Sequence, residues 1–153
     1  MVGALYSIAC ILRLIRLARE EASMDAPKGI SHVSLSVRDL DVSNEWYQRV
    51  LGLKTMVPVF ELEHYRETIL TTGHVGLCLQ QHFDNTGDEF SEHRTGLDHL
   101  SFSLESQEEY DAWLKHLDAE GVQYWEQSGS NFGPMVVFRD PDNVQLELHL
   151  SNR

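Results

Sequence analysis

Cysteine is almost absent from this sequence: Cys10 and Cys78 are the only two among 153 residues. They make no spaced pair, which excludes a disulfide framework and points to a reducing, cytoplasmic setting. Basic residues are scarce as well, with 12 Lys plus Arg against 24 Asp plus Glu and a net charge of −12. That balance excludes nucleic acid as a partner, because phosphate binding needs a basic face that releases counterions. It permits a cationic partner and keeps the chain soluble. No apolar run reaches the roughly 20 residues that a membrane-spanning helix requires. Residues 4–17, ALYSIACILRLIRL, come nearest, and Arg13 and Arg16 interrupt them. A secretory signal places its positive charge ahead of the apolar stretch, whereas here Arg13, Arg16 and Arg19 come late. Residues 1–27 therefore stand apart as an N-terminal extension with three readings. It is a translation start placed ahead of a working start at Met24, an amphipathic helix packed on the body or a partner, or a membrane-surface anchor. Glu20 and Glu21 weaken the last of these, and no membrane partner is expected.

What is present is an internal repeat. Displacing the chain by 67 residues aligns Gly29-Ile30-Ser31-His32-Val33-Ser34-Leu35-Ser36-Val37 with Gly96-Leu97-Asp98-His99-Leu100-Ser101-Phe102-Ser103-Leu104. The Gly, the His and both inner Ser recur, and each apolar position stays apolar. The same displacement pairs Trp46 with Trp113, Leu79 with Leu146, Gln80 with Glu147 and His82 with His149. The chain reads as a duplication: a first module over 28–83, a linker over 84–94 and a second module over 95–151.

Each module opens with strict alternation, the period-2 pattern of a half-buried strand. Val33, Leu35 and Val37 oppose His32, Ser34 and Ser36, and Leu100, Phe102 and Leu104 oppose His99, Ser101 and Ser103. A helix follows each. The first is expected from about Asp41, with Val42, Trp46, Tyr47 and Val50 on one stripe and Gly52 as its cap. The second opens with the capping box Ser106-x-x-Glu109 and buries Tyr110, Trp113, Leu114 and Leu117. Strands are then expected at 55–60 (an edge, given Pro58), 65–71 and 74–82, and again at 122–126, 135–139 and 144–150. The turn Asp140-Pro141-Asp142-Asn143 separates the last two. The fold class is α+β: two βαβββ modules forming a curled mixed-sheet cleft, with helices on the outer face.

Alternation also assigns the polar face. Two first strands each offer a His there, His32 and His99, and the last strand offers Glu147. Two imidazoles and one carboxylate around open positions form the facial arrangement that binds a divalent metal and admits substrate. Gln80 is the first module's counterpart of Glu147 and a candidate fourth ligand, with Cys78 and His82 as alternatives on the same side. The bland reading stands beside this one: solvated polar residues, duplicated together.

Three segments resemble the vicinal oxygen chelate superfamily, which holds glyoxalases, extradiol dioxygenases, fosfomycin-modifying transferases, methylmalonyl-CoA epimerases and bleomycin-resistance proteins. They are HVSLSVRDLDVSNEWYQRVLGL from His32, GLDHLSFSL from Gly96 and FRDPDNVQLELH from Phe138, and together they span about 28–151. The resemblance implies a glyoxalase-like fold and one divalent ion (Fe, Mn, Ni or Zn) held by His32, His99 and Glu147, with a fourth site near Gln80. It implies a small oxygen-chelating substrate, a homodimer whose cleft is shared between chains, and Glu147 as a catalytic proton carrier. The branch it favours is a lyase or isomerase that stabilises an enolate. The alternatives are a metal-free bleomycin-resistance-type binding protein and an Fe(II) extradiol dioxygenase. A fosfomycin-type transferase ranks low, because residues 121–138 contain no Lys or Arg to cradle a phosphonate.

Overall fold

The computed structural model describes residues 26–127 and 133–151. The three readings of the N-terminal extension fall almost wholly outside these residues. Among the described residues no helix is long and apolar enough to cross a membrane. Every described helix and strand belongs to the unit formed by residues 31–153.

This unit begins with β1 (His32–Ser36) and α1 (Leu40–Leu51). Asp39 caps α1, its carboxylate accepting hydrogen bonds from the Asp41 and Val42 amides at 3.0 and 3.1 Å. Gly52 ends it with φ +65°, a left-handed conformation that costs glycine little. The buried stripe is Leu40, Ser43, Tyr47, Val50 and Leu51. Val42, expected on that stripe, is 52% exposed instead, because five residues of helix carry it about 140° around the axis from Tyr47.

Three strands follow: β2 (Lys54–Glu61), β3 (Tyr65–Thr71) and β4 (Gly76–His82). The second half repeats the order with β5 (His99–Leu104), α2 (Gln107–Ala119), β6 (Tyr124–Gln127), β7 (Met135–Arg139) and β8 (Gln145–Leu150). Ser106 caps α2 through the Glu109 amide at 3.1 Å. The Glu109 carboxylate closes on the Glu105 amide at 2.8 Å, one residue earlier than a strict capping box would place it. Tyr110 and Leu117 are the α2 residues that reach full burial.

The eight strands form two separate sheets, ordered β1-β4-β3-β2 and β5-β8-β7-β6. In each, the first strand runs parallel to the last and the remaining pairs are antiparallel, so each half is a βαβββ unit. The sheets are not closed on each other. Pro58 sits on the edge strand β2, beside irregular pairing between Thr55 and Phe60.

The halves share one core. Phe138 of β7 is fully buried and packs 6.3 Å from Trp46 of α1, and the buried apolar cluster runs from Leu35 to Leu150. Polar groups lock the same boundary. Tyr47 Oη donates to Asp140 Oδ2 at 2.8 Å, and Ser43 Oγ donates to Asp142 Oδ2 at 3.1 Å. The Arg38 guanidinium reaches Asp142 Oδ1 at 2.7 Å and the Pro141 carbonyl at 2.6 Å. The 84–94 segment joins in, with Phe90 N donating to the Asp142 carbonyl and Asn143 Nδ2 donating to the Phe90 carbonyl. Asn143 takes a positive φ of 70°, a conformation Asn tolerates in a turn.

Burial pushes the Asp140 carboxyl up to about 6, although the bond from Tyr47 opposes the shift. A carboxyl whose folded pKa exceeds its unfolded value favours folding most when protonated. Its contribution is complete below pH 4 and lost as pH rises through 6. Denaturation midpoints of the parent and of Asp140→Asn should therefore diverge with pH. Between pH 7 and pH 4.5 the parent gains on the variant by on the order of 2 kcal/mol. A pH-independent difference would contradict this assignment.

Candidate metal centre

Register fixes which residues share a sheet face. In the second sheet His99 lies opposite Gln145 and Ser101 opposite Glu147, while β7 sets Val137 against Glu147 and Arg139 against Gln145. These residues form the face away from the helices. Leu146, Leu148 and Leu150 alternate with them and are buried on the helix side.

On that face His99 and Glu147 meet. His99 Nε2 stands 3.5 Å from Glu147 Oε2, and His99 Nδ1 stands 2.6 Å from Asp98 Oδ1. With Nδ1–H given to Asp98, Nε2 turns a lone pair towards a carboxylate that is itself only 8% exposed. Two electron-pair donors converging in this way are at ease only with a cation or a proton between them. The other Glu147 oxygen accepts from Gln145 Nε2 at 3.0 Å, which fixes the carboxylate's orientation. A carboxylate behind a ligating imidazole and an amide behind a ligating carboxylate are the outer partners a metal site uses. The donor set present therefore fits a divalent ion. Neither Asp98 nor Gln145 is among the sequence-predicted residues, though Asp98 stands beside His99 in the chain and Gln145 two residues before Glu147.

His32 belongs to the other sheet. It lies opposite Gly76, its ring edge 3.0 Å from Ser31 Oγ, and it is exposed. A side chain at position 76 would meet His32 Cβ at 3.3 Å, so glycine there leaves room for the first carbon of the His32 side chain. Among the described residues of one chain, no three His, Cys, Asp or Glu side chains converge on a common point. The structure thus brings together His99 and Glu147 but not His32.

Gln80 does not take the place expected of it. His32 is level with Gly76 as His99 is level with Gln145, so the residue matching Glu147 is two beyond Gly76, namely Cys78. The second module has two more residues between its first and last strands, and the constant displacement fails there. Gln80 lies level with Ser36 and opposite Glu67, about 13 Å along the strand from the level of His32. Burial holds the Cys78 thiol above its ordinary pKa, and it hydrogen-bonds with Ser34 and Glu67.

Cations on the polar faces are few. Arg139 donates to both Glu92 oxygens, at 3.2 and 2.9 Å, and to Gln145 Oε1 at 3.2 Å. Its guanidinium holds the Glu92 carboxyl down at about 2. Lys54 shares the face of His32 but stands at the far edge of the sheet, opposite Thr71.

Comparison with known proteins agrees with this geometry. Residues 29–148 match the family model of the Glyoxalase/Bleomycin resistance protein/Dioxygenase superfamily. A glyoxylase/bleomycin resistance protein/dioxygenase domain from Frankia sp. EAN1pec superposes with a TM-score of 0.76 at 37% identity, covering 83% of this chain and 100% of that one. Glutathione transferase FosA of Serratia marcescens is 28% identical over 125 residues, 82% of this chain and 82% of its own. Metallothiol transferase FosB of Bacillus licheniformis is 28% identical over 123 residues, 79% of this chain and 74% of its own. These curated relatives are thiol transferases, the class that the lack of cations in 121–138 ranked low; Arg139 lies one residue beyond that stretch. The chain belongs to the glyoxalase/bleomycin resistance protein/dioxygenase superfamily.

Proposed function

We propose that this chain is a metal-dependent enzyme of the glyoxalase-like kind, a lyase or isomerase acting on a small oxygen-chelating substrate. The observation that supports it best is the His99–Glu147 pair, 3.5 Å apart, backed by Asp98 and Gln145. His99 and Glu147 would hold one divalent ion together with His32. His32 lies on a different sheet from the pair, so the proposal includes a homodimer in which His32 of a second copy completes each site. Gln80 is assigned to the substrate's side of the cleft rather than to the metal.

A bound divalent ion would supply Lewis-acid stabilisation of the negative charge that develops on a substrate oxygen. The chain's own groups do the rest. Asp98 keeps His99 in one tautomer and orientation. Gln145 pins Glu147 Oε1 and fixes the carboxylate beside the site, where Glu147 is the group placed to take a proton from carbon next to the chelated carbonyl. The buried setting of Glu147 excludes bulk water from that transfer.

The curated relatives favour a second reading, thiol transfer. Against a phosphonate acceptor stands the state of Arg139, already neutralised by Glu92, which leaves no pair of free cations beside the His99–Glu147 pair among the described residues. Metal analysis of mixed chains tests the shared-site proposal. His32→Ala and His99→Ala should each bind no metal alone. Co-refolded in equal amounts, they should recover about a quarter of the parent's metal content, since a mixed dimer keeps one intact site. A mixture as empty as either variant would refute the shared site, and a metal-free parent in excess Mn, Ni, Zn or Fe would refute the enzyme reading.

A further inference from the structure

Glu67 is a carboxylate that the proposed metal centre does not use. It is 7% exposed, and register places it on the polar face of the first sheet, opposite Gln80 on one side and Phe60 on the other. Nearly buried carboxylates are normally paired, because desolvation is expensive without a cation or several donors. Among the described residues no ion pair joins it to a Lys, Arg or His, and it interacts with the Cys78 thiol. Arg66, its neighbour in the chain, points to the opposite face and is bound there by both Asp41 oxygens at 3.2 Å. Lys54 shares the face but stands level with Thr71, about 13 Å away along β3.

Aromatic rings flank the carboxylate. Phe60 faces it across the β2–β3 pair, and Tyr65 lies two residues along β3 on the same face, its ring 5.4 Å from that of His82. Gln80 offers an amide and Ser36 a hydroxyl in the same row across the sheet. A desolvated carboxylate, an amide oxygen and two ring faces together favour one kind of ligand group, an ammonium with N–H donors and a positive charge. An anion would meet Glu67 without a free guanidinium to offset it.

The geometry points to a subsite for a protonated amine on the polar face of β3 and β4, with Glu67 as its specificity-determining residue and Phe60 and Tyr65 as its walls. This deepens the reading above by giving the substrate a class: an oxygen chelator bearing a cationic amine remote from the metal. The subsite itself stands on Glu67 and its neighbours, and its test is separable from that of the metal.

Benzylammonium and benzoate are matched probes of opposite charge for amide chemical-shift titration of the full-length protein. Benzylammonium should shift the Glu67, Cys78 and Gln80 amides saturably, and benzoate should not. Glu67→Gln, of equal size, should weaken benzylammonium at least tenfold. Glu61→Gln makes the same change in net charge at an exposed position and should leave binding unaltered. Phe60→Leu, which keeps the charge and removes the ring, should weaken it several-fold. Equal binding of benzoate, full binding by Glu67→Gln, or an equal loss in Glu61→Gln would overturn the proposal. Metal content of Glu67→Gln should equal the parent's. Its loss would assign Glu67 to the metal centre and overturn the amine subsite, whereas failed amine binding with metal retained would leave the metal reading standing.

Discussion

The double variant His99→Ala, Glu147→Gln is expected to fold like the parent and to hold no metal, where the parent is expected to hold about one divalent ion per chain. The two side chains meet at 3.5 Å on one sheet face, and removing both leaves neither imidazole nor carboxylate from that half of the site. Folding should survive, because the residues that build the β8 core, Leu146 and Leu148, point the other way and are unchanged. Glu147→Gln alone should lower turnover of an epimerisable acid or a hemithioacetal by roughly 10²–10⁴-fold, the usual contribution of a positioned proton carrier. Asp98→Asn grades the effect. It keeps the shape but loses the charge behind His99 Nδ1, and should weaken metal binding by about 10–100-fold. Elemental analysis beside circular dichroism checks the double variant and Asp98→Asn, and a turnover assay checks Glu147→Gln. Retention of stoichiometric metal by the folded double variant would rule out the pair as ligands.

Phe138→Ala should cost about 4 kcal/mol of folding free energy, a large part of the roughly 5–15 kcal/mol that holds a domain of this size. Phe138 is fully buried, and its ring lies 6.3 Å from Trp46, so the loss falls where the second sheet meets the first helix. The shape of the transition matters as much as its midpoint. Because one apolar cluster runs through both halves, Phe138→Ala should unfold in a single step at lower denaturant, as followed by Trp46 and Trp113 fluorescence and by circular dichroism. Two separated transitions would show that the halves are independent domains that happen to touch.

Much of this fold was legible locally. Alternation in His32–Ser36 and His99–Leu104 marked both first strands, and the sheets place them as expected. Capping chemistry at Gly52 and Ser106 marked helix ends, since those signals act within one turn of the chain, whereas the Asp39 cap of α1 went unread. The apolar and polar sides of β8 followed from period 2 alone, and with them the meeting of Glu147 and His99 on one face. Val42 shows the limit of such reasoning. Tyr47 and Val50 were placed on the buried stripe, but which other residues share it depends on the side of α1 that meets the sheet, a matter of tertiary packing.

Pairing register lay further out of reach. A repeat displacement matched Gln80 to Glu147, yet hydrogen bonding between β1 and β4 makes Cys78 the match, because strand level is set by partners distant in sequence. Nor did any periodicity announce Glu67, whose meaning comes from Gln80 and Phe60 on neighbouring strands. The sequence by itself determined the elements and their polar faces, and so the faces on which the candidate donors His32, His99 and Glu147 stand, because each depends on neighbours a few residues away. Only the tertiary structure decided that the halves share a core through Phe138 and Tyr47, and that His32 lies on a separate sheet. Those outcomes arise from packing between segments some 40 to 100 residues apart, which no local pattern encodes.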